Sequence, residues 1–141
     1  MDQQRKTNNR PQSLVEVVEI FNRSGDVNAA IREFLDEFYV SADAKRADMV
    51  IAAPPLTYNA HTNAYLAAVA EHLSLNYKLP IPEWTGESSR FLKKAHFPMG
   101  LESLKAMAIV KSPVAFRRRM IFVPEHDPLS RPRQRTLPAI A

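Results

Sequence analysis

The sequence predicts an all-α protein: a single compact domain of five to six helices followed by a basic, proline-rich C-terminal tail. Its 141 residues fit one domain, and 45% of them are hydrophobic, which is enough to build a core. Apolar residues recur at helical spacing along most of the chain. Helix-capping residues, glycines and prolines mark where the periodic segments begin and end. The predicted divisions are a flexible basic N-terminus over residues 1–12, a helical domain over residues 13–123 and a basic tail over residues 124–141.

The first two helices are predicted from their caps. Ser13 and Glu16 form the S-x-x-E pattern of a capping box, and Gly25 follows the apolar repeat as a C-terminal cap. Asp26 then caps a second amphipathic helix, whose opposite face carries Arg32, Glu33, Asp36 and Glu37. Neither helix buries its apolar stripe alone, so the two are expected to pack as a helical hairpin.

Two further helices are expected before residue 80. Residues 41–51 predict a short helix that ends before Pro54, with Ala44, Ala47 and Val50 facing inward. Residues 59–76 are alanine-rich and contain no glycine or proline, which predicts a longer helix. Its expected core face consists of Tyr65, Leu66, Val69 and Leu73.

The remainder of the domain is less regular. Residues 78–87 predict a loop that Trp84 attaches to the core, followed by a short helix over residues 87–94. Residues 101–111 predict a fifth helix with Leu101, Leu104, Ala108 and Ile109 inward. Ser112 and Pro113 then suit the N-cap and first position of a last short helix, and residues 121–123 are compatible with a lone strand.

Charge is concentrated at the two ends of the chain. Residues 1–10 contain three basic and one acidic residue, and residues 117–141 contain six and two, so the ends carry +2 and +4 while the intervening segment carries −2. No apolar run has the roughly 18–20 residues of a membrane span, and the polar first ten residues lack the apolar segment of a secretory signal. No membrane association is therefore expected. The chain also has no cysteine, for which a cytoplasmic location is the simplest expectation.

Catalytic and metal-binding patterns are largely missing. The chain has three glycines and no phosphate-binding or nucleophile motif, so neither catalysis nor a cofactor is expected. His61 and His72 stand about 16 Å apart along the predicted helix, too far to share a metal, and are expected at or near the surface. Arg90 and His96 fit the permissive R-x(4–6)-H spacing of HEPN ribonucleases, but the nearby Pro98 disfavours the long helix on which such a pair sits.

Basic residues near the C-terminus are the main candidates for binding. The second helix is too acidic to act as a DNA-reading helix. The candidate partner-binding residues instead combine arginines with apolar side chains, a mixture that interface cores favour: Phe116, Arg117, Arg118, Arg119, Phe122, Arg131, Arg133 and Arg135. The same residues are compatible with a solvated basic end or with a final core segment whose arginines reach outward.

Three stretches resemble a known group of proteins: residues 34–39 (FLDEFY), residues 64–73 leading into LPIPEW at 79–84, and residues 112–119 (SPVAFRRR). They are similar to small bacterial proteins that occur alone or fused behind Xre-type DNA-binding domains, often encoded beside nucleotidyltransferase-like toxins. The likeness extends from Ser13 to Val123, without the fused DNA-binding domain. It implies an antitoxin-like or regulatory role.

The function expected from these observations is that of a non-catalytic binding protein, an antitoxin-like partner that masks a bacterial toxin of the nucleotidyltransferase type. The basic segment would cover the acidic cleft of the toxin. The alternative is a nucleic-acid-binding regulator that acts through the C-terminal arginines. A ribonuclease based on Arg90 and His96 ranks third, and apolar helix faces would also suit a homo-oligomer.

Overall fold

The computed structural model describes residues 10–130, in which six α-helices and three 3-10 turns form the secondary structure and no strand is present. This confirms the predicted all-α class. The chain divides into two compact units, Met1–Pro55 and Leu56–Ala141, a division that the sequence did not indicate. None of the helices within residues 10–130 is long and apolar enough to cross a membrane.

The first unit contains α1 (Leu14–Ser24), α2 (Val27–Val40) and α3 (Asp43–Ile51). Both predicted caps of α1 are present. The Ser13 hydroxyl accepts a hydrogen bond from the Glu16 N–H (3.2 Å), and Gly25 adopts the left-handed conformation at φ 75°. The Glu16 carboxylate reaches back to the Gln12 N–H (2.8 Å), one residue before the expected partner. Asp26 caps α2 through the Ala29 N–H (3.0 Å), as predicted.

The α1–α2 hairpin is confirmed, and the two helices contact each other along their apolar faces. The hairpin buries a continuous set of aliphatic and aromatic side chains: Leu14, Val17, Val18, Phe21, Ala30, Ile31, Phe34, Leu35 and Phe38. Two expectations for this unit were wrong. Glu37 is buried and pairs with Lys45 (2.7 Å) instead of facing water, and α3 buries Met49 with Val50 while Ala44 is exposed.

The second unit is organised around α4 (Ala60–Tyr77), which Asn59 caps through the Thr62 N–H (3.1 Å). Three elements pack against α4: the 3-10 turns Glu83–Gly86 and Ser88–Arg90, and the short helix α6 (Val114–Arg117). Trp84 is buried, as predicted for the loop that contains it. The predicted helix over residues 87–94 is reduced to the second of these turns.

Helix α5 is shorter than predicted and begins after another turn. Residues Glu102–Leu104 form a 3-10 turn, and α5 covers only Lys105–Lys111. Ser112 does not cap α6. Its hydroxyl instead donates to the Ala108 carbonyl (2.5 Å) and accepts from the Val123 N–H (2.8 Å), and α6 begins after Pro113. The lone strand is also absent from the described residues, since Ile121 forms only an isolated parallel bridge with His96.

Candidate interaction site

The predicted partner-binding residues do not lie on one surface. Phe116 and Arg119 are fully buried in the second unit, whereas Arg117 and Arg118 are exposed. Phe122 is half-buried and stacks on Phe97 at 5.4 Å between ring centroids. The three remaining candidates, Arg131, Arg133 and Arg135, lie outside the described residues. The packing around α4 encloses Phe116 and Arg119, so neither side chain is accessible to a partner in this structure, and the partner-binding role of the other candidates stays a prediction.

Arg119 is enclosed because it neutralises a buried carboxylate. Its guanidinium donates to Glu71 Oε1 (2.5 Å) and to the carbonyls of Ala115 (2.8 Å) and Thr85 (2.6 Å). Arg118 donates to the other oxygen of Glu71 (2.9 Å) from a half-exposed position. Burial lowers the pKa of Arg119, and the hydrogen bond to Glu71 opposes that shift. This network joins α4, α6 and the Glu83–Gly86 turn, so Arg119 has a structural role.

The same side of α4 holds the beginning of the predicted tail. His72 is 5% exposed, which contradicts its expected place at the surface, and its Nε2 lies 3.4 Å from an Asp127 carboxylate oxygen. Burial lowers the pKa of His72, while the hydrogen bond and charge of Asp127 act to raise it. Leu129 is 2% exposed. Residues 124–130 thus belong to the packed unit, and the predicted tail has a structured beginning.

The Arg90 and His96 side chains occupy different environments. Arg90 is 1% exposed, lies 4.8 Å from the centroid of the Trp84 ring and donates to the Asn63 carbonyl (3.3 Å). Its burial lowers the pKa of the guanidinium, with Glu87 acting in the opposite direction. A guanidinium held inside the unit cannot reach a phosphodiester without rearrangement, so the geometry does not support the HEPN-like interpretation.

His96 instead stacks on His61, with ring centroids 3.8 Å apart and an angle of 7° between the planes. Burial, followed by the proximity of His61, lowers the pKa of His96. The lone pair of an imidazole nitrogen lies in the plane of its ring. Two stacked rings therefore do not direct their lone pairs at one point, and this pair is not arranged to chelate one metal ion. Within residues 10–130 no group of three or more histidine and acidic residues could hold a metal.

Helix α5 has the most unusual surface in the second unit. Only Ala108 is buried, while Met107, Ile109 and Val110 are 45%, 52% and 75% exposed. At about 100° per residue, Ala106 and Val110 lie nearly opposite Ala108, with Met107 and Ile109 on either side of them. The predicted core positions of Leu101 and Ile109 are both wrong, since the two side chains are 56% and 52% exposed. We call Ala106, Met107, Ile109 and Val110 the α5 face.

Basic residues occur at both ends of α5 and shortly after it in the sequence. Lys105 and Lys111 are the first and last residues of α5, and Arg117 and Arg118 are exposed at the end of α6, close to it in sequence. Glu102 is the one acidic residue between positions 101 and 118, and it pairs with Lys105 at 3.2 Å. Val114, at the start of α6, adds another apolar side chain at 57% exposure. The second unit therefore presents aliphatic groups beside a net positive charge.

Comparisons of this chain with protein-family models, with curated proteins and with solved structures found no match. The α5 face was missed in the sequence, although one signal for it was present: Ala106, Met107, Ile109 and Val110 give α5 more apolar residues than one buried stripe requires.

Proposed function

We propose that this protein is a non-catalytic binding protein, an antitoxin-like partner that acts in the cytoplasm by masking another protein. One observation carries the proposal: Met107, Ile109 and Val110 of α5 are 45–75% exposed, and a lysine stands at each end of that helix. Contiguous exposed apolar groups are costly in water, and a folded protein that keeps them commonly uses them in an interface. Basic groups at the border of such a surface direct it towards an acidic partner.

The proposed partner is a nucleotidyltransferase-like toxin. This class comes from the resemblance of residues 13–123 to proteins encoded beside such toxins. Nucleotidyltransferases hold their metal ions with carboxylates, and a surface that combines aliphatic groups with the exposed cations Lys111 and Arg117 would complement an acidic cleft of that kind. Masking requires no reactive group on the antitoxin side, and it is compatible with the burial of Arg90 and Arg119.

A nucleic-acid-binding regulator is the second candidate. The exposed guanidinium of Arg117 favours it, since exposed cations bind phosphates, although the neighbouring Arg118 is already paired with Glu71 at 2.9 Å. It leaves the α5 face unexplained, because binding to a phosphate backbone gains nothing from exposed valine and isoleucine. The two candidates differ in salt dependence, which is steep for nucleic acid and weaker for an interface with an apolar centre.

Affinity purification of the tagged full-length chain from its source cells, with and without nuclease treatment, tests the proposal. A single stoichiometric protein that survives nuclease and is toxic when expressed alone would support it. Co-expression should then restore growth. Loss of all bound material on nuclease treatment would favour the nucleic-acid-binding regulator. Toxicity that co-expression leaves unaffected would refute masking.

A pair of truncations tests whether the basic C-terminal end contributes to masking. Deletion of residues 131–141 removes Arg131, Arg133 and Arg135 and leaves the buried Leu129 in place, and we expect it to weaken neutralisation of the toxin. Deletion of residues 124–141 also removes Leu129 and Asp127, so a loss of activity in that variant includes a loss of stability. Full neutralisation by the shorter deletion would exclude a role for the terminal arginines.

A further inference from the structure

The orientation of α5 is the reverse of that in an ordinary surface helix. A surface helix buries its apolar stripe and exposes its charged residues. In α5, the residue that packs inward is the small Ala108, and the four residues pointing away from it are all apolar. This arrangement exposes the larger aliphatic groups and buries the smaller one, so the fold of the second unit does not account for it.

The lysines of α5 lie at the two edges of its apolar face. On a helical projection, Lys105 and Lys111 fall on either side of Ala108, each about 60° from it. Their stems can follow the flanks of the helix while the ammonium groups stand beside the apolar face. Lys105 is already held on one side, by Glu102 and by the Phe97 ring at 5.2 Å, whereas Lys111 is exposed. An occupant of the face would therefore meet an aliphatic centre with a cation along each edge.

We propose that the α5 face receives an amphipathic helix of the partner protein, in which an apolar stripe is bordered by glutamate or aspartate. This inference rests on the proposed function and specifies its contact. The seven residues of α5 extend about 10 Å, which corresponds to two turns of a docked helix. Aliphatic side chains at the centre favour packing against the apolar stripe of a second helix, and the lysines would pair with carboxylates at the edges of that stripe.

Charge argues against a second copy of this chain as the occupant. The side chains at the two edges of the face, Lys105 and Lys111, are both basic, so two copies of the face would oppose like charges. A lipid surface is less suited, because interfacial helices use tryptophan or phenylalanine on the inserted face and no aromatic residue occurs between Leu101 and Ala115. Nucleic acid would leave the aliphatic centre without a contact that favours binding.

Selection from a displayed library of helical peptides tests this inference on the intact chain. The library randomises the exposed positions of a stable helix, and peptides are recovered on immobilised wild-type protein. We expect enrichment of helices with an apolar stripe flanked by glutamate or aspartate. Val110→Asp should reduce their affinity about 10- to 100-fold, as expected for a charge placed at the centre of an apolar contact. Val40→Asp is the matched control, since Val40 is a 67% exposed valine in α2, and it should leave the affinity unchanged.

Reversal of a lysine tests the role of charge separately. Lys111→Glu should lower the affinity for acid-flanked peptides and raise the affinity for the same peptides carrying lysine in place of glutamate. Lys94→Glu is the control and should change neither affinity. The inference is overturned if enriched peptides bind Val110→Asp as well as the wild type, or if their flanks are neutral or basic. It is also overturned by Val110-dependent binding to phosphatidylglycerol vesicles or to duplex DNA, or by a dimer that Val110→Asp dissociates.

The proposed function and this inference can fail independently. If a toxin partner is captured and Val110→Asp leaves its affinity unchanged, the antitoxin-like function stands and the α5 face is not its contact. If acid-flanked helices bind the face and no toxin is neutralised, the docking surface stands and the proposed function fails. Unfolding midpoints of Val110→Asp and Val40→Asp should both equal that of the wild type, because each side chain is exposed.

Discussion

Replacing Glu71 by glutamine should destabilise the second unit more than any other single change of charge on α4. Glu71 is 4% exposed and is the carboxylate that balances Arg119, whose side chain is fully buried. Glutamine keeps the shape of the side chain and removes its charge. The guanidinium of Arg119 would then remain in the interior with two carbonyl acceptors, at Ala115 and Thr85, and no counter-charge.

Removal of one partner from a buried ion pair typically costs about 3–5 kcal/mol. The two hydrogen bonds of Arg119 to the Ala115 and Thr85 carbonyls survive in Glu71→Gln, so we expect a loss at the lower end, about 3 kcal/mol. With a urea dependence of about 1.5 kcal/mol per molar, the midpoint should fall by about 2 M. The chain has one tryptophan, Trp84, and it lies in the second unit, so its fluorescence reports the unfolding of that unit.

Arg118→Gln is the matched control for Glu71→Gln. Arg118 donates to the same carboxylate at 2.9 Å, but its side chain is 49% exposed, and partly exposed ion pairs contribute less than about 1 kcal/mol. The double variant Glu71→Leu with Arg119→Met should recover much of the loss, because it removes both buried charges together. If Glu71→Gln costs less than about 1 kcal/mol, or no more than Arg118→Gln, the buried charge pair is not what holds α6 to α4.

Three further predictions concern caps, loops and pH. Asp26→Ala should lower the free energy of unfolding by about 1 kcal/mol in a urea titration followed by circular dichroism, while Asp26→Asn should be nearly neutral. Ser112→Ala should cost about 1–3 kcal/mol in the tryptophan assay, because it removes the acceptor of the Val123 N–H, and a smaller loss would mean that water replaces the hydroxyl. The folded-state pKa values of His72 and His96 lie below the ordinary value of 6.5, so the unfolded chain binds more protons between the lowered values and 6.5. Stability should be complete above about pH 6.5 and decrease as pH falls through this window, and urea midpoints that are equal at pH 7.5 and pH 5 would contradict the assignment.

The first unit shows how much of the fold local sequence rules can predict. Ser13, Gly25 and Asp26 mark helix ends because each satisfies backbone groups within a few residues of itself. Such interactions depend on neighbours in the sequence, so they are readable without the tertiary structure. Neither α1 nor α2 can bury its apolar stripe alone, so the two helices pack against each other as a hairpin.

The buried polar groups of the second unit were not predictable in the same way. Glu71 and Arg119 are separated by 48 positions, and Arg90 donates to Asn63 across 27. The neighbouring sequence does not distinguish a glutamate that pairs with a buried arginine from one that faces water. The partner comes from a distant part of the chain and reaches the glutamate only in the folded structure. For the same reason the sequence predicts His72 at or near the surface, whereas it is buried.

Helix α5 shows a different limit, and it bears directly on the proposed function. Periodicity identifies an apolar face on a helix, but it does not say whether that face packs against its own chain or against another protein. Periodicity alone assigns Leu101 and Ile109 to the core, and both are exposed in the structure. A helix that docks a partner has the same periodic spacing of apolar residues as a helix that builds a core, since both exclude water from aliphatic groups. An inward face that contains only Ala108, opposite an outward face with Val110 at 75% exposure, is therefore what an interaction helix requires and what a core helix would avoid.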